Sequence, residues 1–308
     1  MVKKIVLSDV DSVVNDIKSM RVRGALNIAV TAAKSMKKLV KEGGVIETLQ
    51  DAGQRLKSAR PTAVSLPNSV DYILYLAEKN SHLGDEEFRK QLLDDIGRFI
   101  QEMENSLDEI AEIGSNIIRD DDVLLTHCNS DTVIEILKRA HSKGKKFTVY
   151  ATETRPRMQG HITTGELLDA GIPVTLIVDS AACITMETKK VDKVLVGADT
   201  VCVDGDVVNK IGTSQVALCA RKHGIDFIVA VESIKFSPQS MMGSIVKIEE
   251  RNPDEVWRDR PSILGVYNPA FDITDASMVD IVVTELGIMP PEAVYQVVKE
   301  KFSWELRQ

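Results

Sequence analysis

Aromatic side chains are scarce in this 308-residue sequence, where Phe, Trp and Tyr together make up 5% of the chain. This scarcity argues against a surface on which nucleic-acid bases stack and against an aromatic-rich barrel. The hydrophobic content is nevertheless 44%, and Val, Ile, Leu and Ala carry most of it. A core of aliphatic residues is typical of layered α/β proteins.

The sequence also lacks a surplus of positive charge, since its formal net charge is −8. No global attraction to nucleic acid or anionic lipid is therefore expected, and any anion site must be built locally. No segment approaches the ~20 apolar residues that span a bilayer, and the apolar run near the N-terminus is too short for a signal peptide. We therefore expect a cytoplasmic protein with no nucleic-acid or membrane partner.

Cysteine is scarce as well, with four residues in the chain. They show neither CxxC spacing nor the density of a secreted disulfide scaffold, which favours a reducing compartment. Cys183, Cys202 and Cys219 are expected to be buried packing residues. Cys128 differs because it lies just past a predicted strand, where the helix that follows can tune its thiolate fraction.

Several ligand-binding motifs are missing. The sequence contains no HxxxH, HExxH or paired CxxC spacing, so no metal is expected. It has no GxGxxG after the first predicted strand and no Walker GxxxxGK[ST] motif. We therefore expect no cofactor.

The first third of the chain has apolar residues at helical spacing. The pattern predicts helices within residues 12–40, 46–56, 70–78 and 85–117. Two prolines predict an ordered loop over residues 59–68 in which Leu66 is extended. No strand pattern precedes about residue 120, so we predict an N-terminal helical domain over residues 1–118.

Beyond residue 120, short β-branched runs alternate with helical segments. The predicted strands are 123–126, 147–152, 174–178, 193–196, 227–231 and 281–284, with another over 263–267. The predicted helices are 131–143, 164–170, 181–188, 214–223 and 291–301. This alternation implies right-handed βαβ units and a sheet covered on both faces. The C-terminal domain, residues 119–308, is therefore predicted to be an α/β domain with a doubly wound, mostly parallel sheet.

Reactive and charged side chains follow the predicted strands. His127 and Cys128 follow the first strand, Arg155 and Gln159 the second, and Asp199 the fourth. Because the carboxyl ends of parallel strands meet at one edge of a sheet, these residues are expected to share a crevice. Cationic residues near glycines and helix starts are candidate phosphate clamps, namely Arg23, Arg60, Arg155, Arg157, Lys210 and Lys235.

The stretch from Gly197 to Thr213 has the features of an anion site. Asp199 ends a strand, a glycine-containing turn follows, and Asn209, Lys210 and the pair Gly212–Thr213 open a helix. A helix N-terminus attracts anions through its free N–H groups and its dipole. We therefore predict that Lys210 and this helix start hold a phosphate, although Asp199 by itself could simply cap the turn.

Short motifs occur here in the order found in a known superfamily. They are Arg23-Gly24-Ala25, Arg60-Pro61-Thr62-Ala63, His127-Cys128, Glu153-Thr154-Arg155-Pro156, Gln159-Gly160, Gly197-Ala198-Asp199, Asn209-Lys210-Ile211-Gly212-Thr213, Lys235-Phe236 and Tyr267-Asn268-Pro269-Ala270-Phe271-Asp272. The chain resembles the superfamily of 5-methylthioribose-1-phosphate isomerase, the regulatory subunits of initiation factor two-B, and ribose-1,5-bisphosphate isomerase. Within it, the chain is most similar to the archaeal ribose-1,5-bisphosphate isomerases, from about residue 12 to the C-terminus.

The resemblance implies a helical N-terminal domain, a Rossmann-like C-terminal domain, and a homo-oligomer that is a dimer or a trimer of dimers. It implies conversion of α-D-ribose 1,5-bisphosphate to ribulose 1,5-bisphosphate in AMP salvage, with Cys128 and Asp199 as the acid/base pair and AMP as a candidate activator. The substrate-binding residues it implies are Arg23, Gly24, Ala25, Leu26, Arg60, Arg155, Gln159, Asn209, Lys210 and Lys235. Leu26 and Asn129 depart from the family's pattern, which has a small residue and a histidine at these positions.

The chemistry of such a substrate explains the residue types. A sugar phosphorylated at C1 cannot open its ring as a free aldose does, so the ring oxygen must be protonated while a proton leaves C2. In an apolar and partly closed site, Asp199 is expected to act as the acid and Cys128 to carry the proton from C2 to C1. Two phosphates require two anion sites, and Arg23 with Arg60 is expected to help hold the second.

Two alternatives remain open. A 5-methylthioribose-1-phosphate isomerase would need an apolar pocket for its thioether instead of a second phosphate clamp. A non-catalytic regulatory subunit would bind a nucleotide or a partner initiation factor. The presence of both Cys128 and Asp199 favours an enzyme, because a binding protein has no chemical need for that pair.

Overall fold

The computed structural model describes residues 2–60, 64–242 and 247–302. The chain forms two compact units. The first contains the chain up to Ser106, the segment Ile234–Phe236 and the chain from Lys299 onward. The second contains Leu107–Ser233 and Ser237–Val298. The sequence-based boundary at residue 118 falls inside the second unit, and no local pattern marks the segment at 234–236.

Helices build the described part of the first unit. They are α1 (Val2–Lys18), α2 (Ala25–Lys41), α3 (Ile46–Lys57), α4 (Ser65–Lys79) and the N-terminal part of α5 (Asp85–Ser115). The amphipathic spacing buries one face of each, and Met36, Leu49 and Ile73 are among the fully buried side chains. Each such side chain contributes about 1.5–3 kcal/mol by leaving water. The predicted helical character of the first third is confirmed.

The start of α4 differs from the prediction. Leu66 lies in the first turn of this helix and is fully buried, so the prediction that it is extended is wrong. Pro67 is tolerated there because the first-turn N–H groups have no intrahelical acceptor to lose. Pro61, Thr62 and Ala63, which the predicted loop also contains, lie outside the described residues.

Parallel strands form the main sheet of the second unit. The strands of the two sheets in this unit include β1 (Val123–Thr126), β2 (Thr148–Thr152), β3 (Val174–Ile177), β4 (Lys193–Gly197), β5 (Thr200–Cys202), β6 (Val207–Lys210), β7 (Asp226–Ala230), Phe271–Thr274, Ile281–Thr284 and Gly287–Met289. Seven of them form one sheet in the order Gly287–Met289, Ile281–Thr284, β7, β4, β1, β2, β3. Every pair in it is parallel except the one that contains Gly287–Met289. The predicted doubly wound, mostly parallel sheet is confirmed.

The helices of this unit alternate with its strands, as predicted. They are α6 (Asp131–Ser142), α7 (Gln159–Asp169), α8 (Ala182–Lys189), α9 (Thr213–His223) and α10 (Val294–Lys301), which extends into the first unit. Their apolar faces cover the sheet, where Leu124, Val149 and Leu195 are buried. Because β1 pairs with both β2 and β4, the chain runs outward on one side through β3 and then returns to the other side of β1. This reversal creates a crevice between the carboxyl ends of β1 and β4.

A small antiparallel sheet was not predicted. β5 and β6 form a hairpin, and β6 also pairs with Phe271–Thr274. The turn between β5 and β6 contains Gly205 at φ +91°, a conformation that favours glycine. The strand predicted over 263–267 is absent, and Ile263 is 96% exposed. Its β-branched composition is not matched by a neighbour with which it could pair.

Two of the cysteines predicted to be packing residues form a disulfide instead. Cys183 on α8 and Cys219 on α9 are bonded, with their Cα atoms 5.2 Å apart. The prediction is wrong for this pair because only the packing of α8 against α9 brings together residues that are 36 positions apart. Cys202 is a buried free cysteine, as expected.

Candidate active site

The residues predicted as the acid/base pair lie at the reversal of the sheet. Cys128 follows β1, and Asp199 follows β4. The two strand ends approach closely, since a Cβ atom added to Gly197 would lie 2.4 Å from the Ser130 hydroxyl oxygen. Burial raises the pKa of the Cys128 thiol, and the Asp199 charge acts in the same direction. The structure therefore places both residues of the predicted pair at the ends of neighbouring strands.

The backbone around Cys128 is held by threonine side chains. Cys128 has a φ of +71°, which is uncommon for a residue with a side chain. Its N–H donates to the Thr154 hydroxyl at 2.9 Å, and its carbonyl oxygen accepts from the Thr163 hydroxyl at 2.9 Å. Both threonines are buried. These two bonds satisfy the backbone polar groups of Cys128 and fix the direction of its side chain.

The Cys128 thiol is a weak acid in this environment. Burial raises its pKa to about 11, and the Asp199 charge acts in the same direction. The positive charge of Lys210 and a hydrogen bond from the Asn129 N–H both favour the thiolate. The thiol is therefore protonated near neutral pH, and the groups that stabilise its ionised form are already in place.

His127 is a scaffold residue in this structure. Its Nε2–H donates to the Ile211 carbonyl oxygen at 2.8 Å, so in the neutral ring Nδ1 accepts from the Thr152 hydroxyl at 2.7 Å. Burial lowers the pKa of the ring and favours this neutral form. Both ring nitrogens are occupied by the protein, so His127 is not placed to act as a base.

The positive charge of Lys210 acts on both members of the pair. It lies at the end of β6 and is buried, with its Nζ 4.8 Å from the centre of the Phe271 ring. Burial lowers its pKa, whereas the charges of Cys128 and Asp199 raise it. A buried ammonium beside a thiol and a carboxylate can stabilise negative charge that develops between them.

The start of α9 is capped by the protein itself. The Asp272 carboxylate accepts from the N–H of Gly212 at 2.7 Å and from the N–H and hydroxyl of Ser214. At the predicted Gly212–Thr213 phosphate site, the N–H groups of Gly212 and Ser214 are therefore bonded to a carboxylate of the protein. Asn209, also predicted to bind substrate, donates from its Nδ2 to the Thr213 hydroxyl at 3.0 Å.

The loop after β2 carries two more predicted binding residues. The Asp179 carboxylate accepts from the N–H groups of Thr154 and Arg155 at 2.7 Å each, which anchors the loop. Arg155 is exposed, and its Nη2 donates to the Val256 carbonyl oxygen at 3.0 Å. Gln159 is the first residue of α7 and is half-buried.

The remaining predicted binding residues belong to the first unit. They are Arg23, Gly24, Ala25, Leu26, Arg60 and Lys235. Gly24 precedes α2 with a φ of +82°, Arg23 is exposed, and Lys235 is buried.

The first turn of α4 joins two of these segments. The Ser65 hydroxyl donates to the Ala25 carbonyl oxygen at 2.9 Å. The Asn68 Nδ2 donates to the carbonyl oxygens of Ile234 and Phe236, at 2.8 Å each. The segments that carry Ala25 and Lys235 therefore converge on one helix start.

Sequence reasoning did not assign the residues that position the site to that role. Thr154, Thr163, Asp179 and Asp272 each bind a backbone group of a predicted site residue or its neighbour. Asp272 was visible only as the last residue of a quoted motif, and nothing local pairs it with α9. Among the described residues, no group of three His, Cys, Asp or Glu side chains could hold a metal ion. In the same ranges, no helix has both the length and the apolar character of a membrane span.

Comparisons with known proteins show the family to which this chain belongs. The model of the initiation factor 2 subunit family matches residues 21–291. The chain is 41% identical over 296 residues to a ribose 1,5-bisphosphate isomerase of Methanocaldococcus jannaschii, covering 94% of each chain. It is 36% identical to a methylthioribose-1-phosphate isomerase of an Enterobacter species, covering 94% of this chain and 88% of the relative.

Solved structures show the same fold. The structure of a translation initiation factor eIF-2B from Pyrococcus horikoshii matches with a TM-score of 0.77 at 30% sequence identity. The match covers 92% of this chain and 97% of that one. The family match and the relatives span nearly the whole chain, including both units. This chain therefore belongs to the initiation factor 2 subunit family.

Proposed function

We propose that the chain is an aldose–ketose isomerase that converts α-D-ribose 1,5-bisphosphate to D-ribulose 1,5-bisphosphate. The name of the Methanocaldococcus relative describes this activity. The observation that carries the proposal is the placement of Cys128 and Asp199 at the sheet reversal, with the buried charge of Lys210 acting on both. A binding-only protein would have no use for a thiol and a carboxylate in that arrangement.

The first half of the proposed reaction opens the ring. The Cys128 thiolate takes the proton from C2, and the electron pair of that C–H bond forms a double bond between C1 and C2. The bond between C1 and the ring oxygen breaks, and Asp199 donates its proton to that oxygen, which becomes the C4 hydroxyl. The result is an enol phosphate with a hydroxyl group on C2.

The second half forms the ketone. Asp199 takes the proton of the C2 hydroxyl, while Cys128 returns its proton to C1. Lys210 is placed to stabilise the negative charge that develops on the C2 oxygen. Both groups end in the protonation states in which they began, so the cycle needs no outside acid or base.

The proposal is tested by turnover of purified protein. Ribose 1,5-bisphosphate should be converted, and Asp199→Asn should lower kcat by about 10²- to 10⁴-fold, the range for a positioned acid or base. A melting curve of the variant close to that of the wild type shows that the fold is intact. Full activity of Asp199→Asn would remove this residue from the mechanism.

A methylthioribose-1-phosphate isomerase is the second candidate, because the Enterobacter relative with that name is 36% identical. The two substrates differ at C5, where one carries a phosphate and the other a thioether. Comparing kcat/KM for the two purified sugar phosphates distinguishes them. A higher value for methylthioribose 1-phosphate would replace the first proposal.

The assembly and regulation of the enzyme are part of the same proposal. The second unit exposes Leu168, Leu176, Val178 and Ile184, each between 39% and 57%. Aliphatic surface of this kind fits a homo-oligomer, either a dimer or a trimer of dimers. Light scattering should give a mass above that of one chain, and AMP is expected to increase turnover. A monomeric mass would overturn the proposed homo-oligomer, and turnover unchanged by AMP would overturn the proposed activation.

We also assign the enzyme to the cytoplasm, because a sugar carrying two phosphates cannot cross a bilayer unaided. The expectation of a reducing compartment rested on the spacing and low number of the cysteines, and the Cys183–Cys219 bond is a feature that it did not include. Fractionation of the source cells is the test. Recovery of the protein outside the cytoplasmic fraction would overturn the assignment.

A further inference from the structure

The segment Glu249–Arg251 lies beside the strand that carries Phe271. The Ala270 N–H donates to the Glu249 carbonyl oxygen at 2.8 Å, and the Arg251 N–H donates to the Asn268 carbonyl oxygen at 2.8 Å. Glu250 and Pro269 form the antiparallel bridge between these bonds. The backbone of Arg251 is therefore fixed next to the small sheet in which Lys210 and Phe271 are paired.

The Arg251 side chain is largely enclosed but only loosely paired. Its side chain is 15% exposed, and its guanidinium lies 3.4 Å from Glu249 and 3.9 Å from Glu255. Charge-assisted N–H···O bonds are normally about 2.7–2.9 Å long. Within the part of the chain that the structure describes, the buried Arg251 Nε has no hydrogen-bond partner. Both ion pairs of Arg251 are therefore long, and because Nε is buried, the terminal nitrogens of the guanidinium are the donors that an anion could engage.

The backbones of Lys210 and Arg251 lie near each other, since Lys210 pairs with Phe271 and the Arg251 N–H donates to the Asn268 carbonyl oxygen. Burial lowers the pKa of Lys210, the charges of Cys128 and Asp199 raise it, and the smaller effects of Arg251 and Glu249 lower and raise it, respectively. The nearby carboxylates offset part of the repulsion between the two cations, and an anionic ligand that contacts both would offset more of it. The nearby helix start cannot supply this role, because Asp272 already caps α9.

A second arginine shares one of the carboxylates. Arg157, in the loop after β2, lies 3.3 Å from the same Glu255 oxygen that faces Arg251. Glu255 therefore links the loop of Arg155 and Gln159 to the segment of Arg251. A ligand that binds Arg251 would therefore contact a side chain that Glu255 already connects to the predicted binding loop.

We infer that Arg251 is a further substrate-binding residue, which holds one phosphate group of the sugar bisphosphate together with Lys210. The inference rests on the proposed function. It names a second phosphate-binding residue beside Lys210, because Asp272 already accepts hydrogen bonds from the start of α9. Sequence reasoning did not single out Arg251, because no glycine-rich or helix-start signal accompanies it.

The experiment is calorimetric titration with ribulose 1,5-bisphosphate, combined with turnover of ribose 1,5-bisphosphate. Arg251→Gln should weaken binding about 10- to 100-fold, the range for losing hydrogen bonds to a charged group. KM should rise while kcat changes less, and Arg251→Lys should recover part of the affinity. Arg221→Gln is the matched control, because Arg221 is exposed at the far end of α9 and bonds to the Ser277 carbonyl oxygen.

The outcomes separate this inference from the proposed function. Wild-type turnover with unchanged affinity in Arg251→Gln would overturn the inference alone. Wild-type binding without turnover would overturn the proposed reaction, and the affinity of Arg251→Gln would still decide the inference. If Arg251→Gln does not fold, Arg251→Lys decides it, since an unchanged KM in that variant would exclude a bidentate phosphate contact. A wild type that neither binds nor reacts would overturn both.

Discussion

The surroundings of Cys128 shift the pKa of its thiol in opposite directions. Burial and Asp199 raise its pKa to about 11, while Lys210 and the Asn129 N–H favour the thiolate. A proposed proton acceptor is thus held mainly as a thiol in the free protein. Forming the thiolate costs about 1.4 kcal/mol for each unit by which the pKa exceeds the working pH. The thiolate is a strong base once it forms, which suits removal of a proton from carbon.

This balance predicts the pH dependence of the reaction. Because the pKa of Cys128 is raised, the thiolate fraction increases with pH up to about 11. With Asp199 protonated, as the proposed reaction requires, we expect kcat/KM for ribose 1,5-bisphosphate to rise by about tenfold per unit between pH 6 and pH 8. Initial rates in constant-ionic-strength buffers measure it. A flat profile over that range would show that Asp199 gives up its proton as Cys128 ionises, that Cys128 is already ionised, or that Cys128 is not the base.

Single elements show why some features could be predicted from the sequence and others could not. β1 and β4 each contain three consecutive aliphatic residues, so their composition predicts them closely. β5 has three residues and β6 has four, and they become strands only by pairing with each other and with Phe271–Thr274. Cys128 and Asp199 could be placed because both follow recognisable strands. The cap from Asp272 depends on tertiary packing, which leaves no local pattern.

The cap on α9 gives a prediction about stability. Asp272 satisfies the N–H groups of Gly212 and Ser214, which have no intrahelical acceptor. We expect Asp272→Ala to lower the free energy of unfolding by about 1–2 kcal/mol, as for other lost helix caps. Urea denaturation at neutral pH measures the change. Asp259→Ala, at an exposed position, is the control and should change it little; equal effects of the two substitutions would contradict the capping role.

The link between α8 and α9 gives a second prediction at this scale. A bond between residues 36 positions apart restricts the unfolded chain by about 4 kcal/mol in the chain-entropy model. Reductant should therefore lower the melting temperature of the wild type. The double variant Cys183→Ser, Cys219→Ser should melt at the lower temperature with or without reductant. A wild type that is insensitive to reductant, with both thiols titratable after treatment, would show that the bond adds no stability.

At the scale of the whole molecule, the predicted site residues are divided between the two units. Cys128, Asp199, Asn209 and Lys210 lie in the second unit, and Arg23, Arg60 and Lys235 lie in the first. In the second unit, Cys128 and Asp199 follow the neighbouring strands β1 and β4, and in the first unit the segments of Ala25 and Lys235 converge on the start of α4. The family match spans both units, from residue 21 to residue 291. The proposed activity therefore belongs to the full chain.

The most direct test of the central claim is the rate of ribulose 1,5-bisphosphate formation by wild type, Cys128→Ser and Cys202→Ser at saturating ribose 1,5-bisphosphate. Cys202 is the matched control, because it is also a buried free cysteine whose pKa is raised to about 11 by burial. We expect wild type and Cys202→Ser to turn over at similar rates, and Cys128→Ser to be slower by about 10²- to 10⁴-fold. Near wild-type turnover by Cys128→Ser, or no ribulose 1,5-bisphosphate from the wild type, would contradict the account.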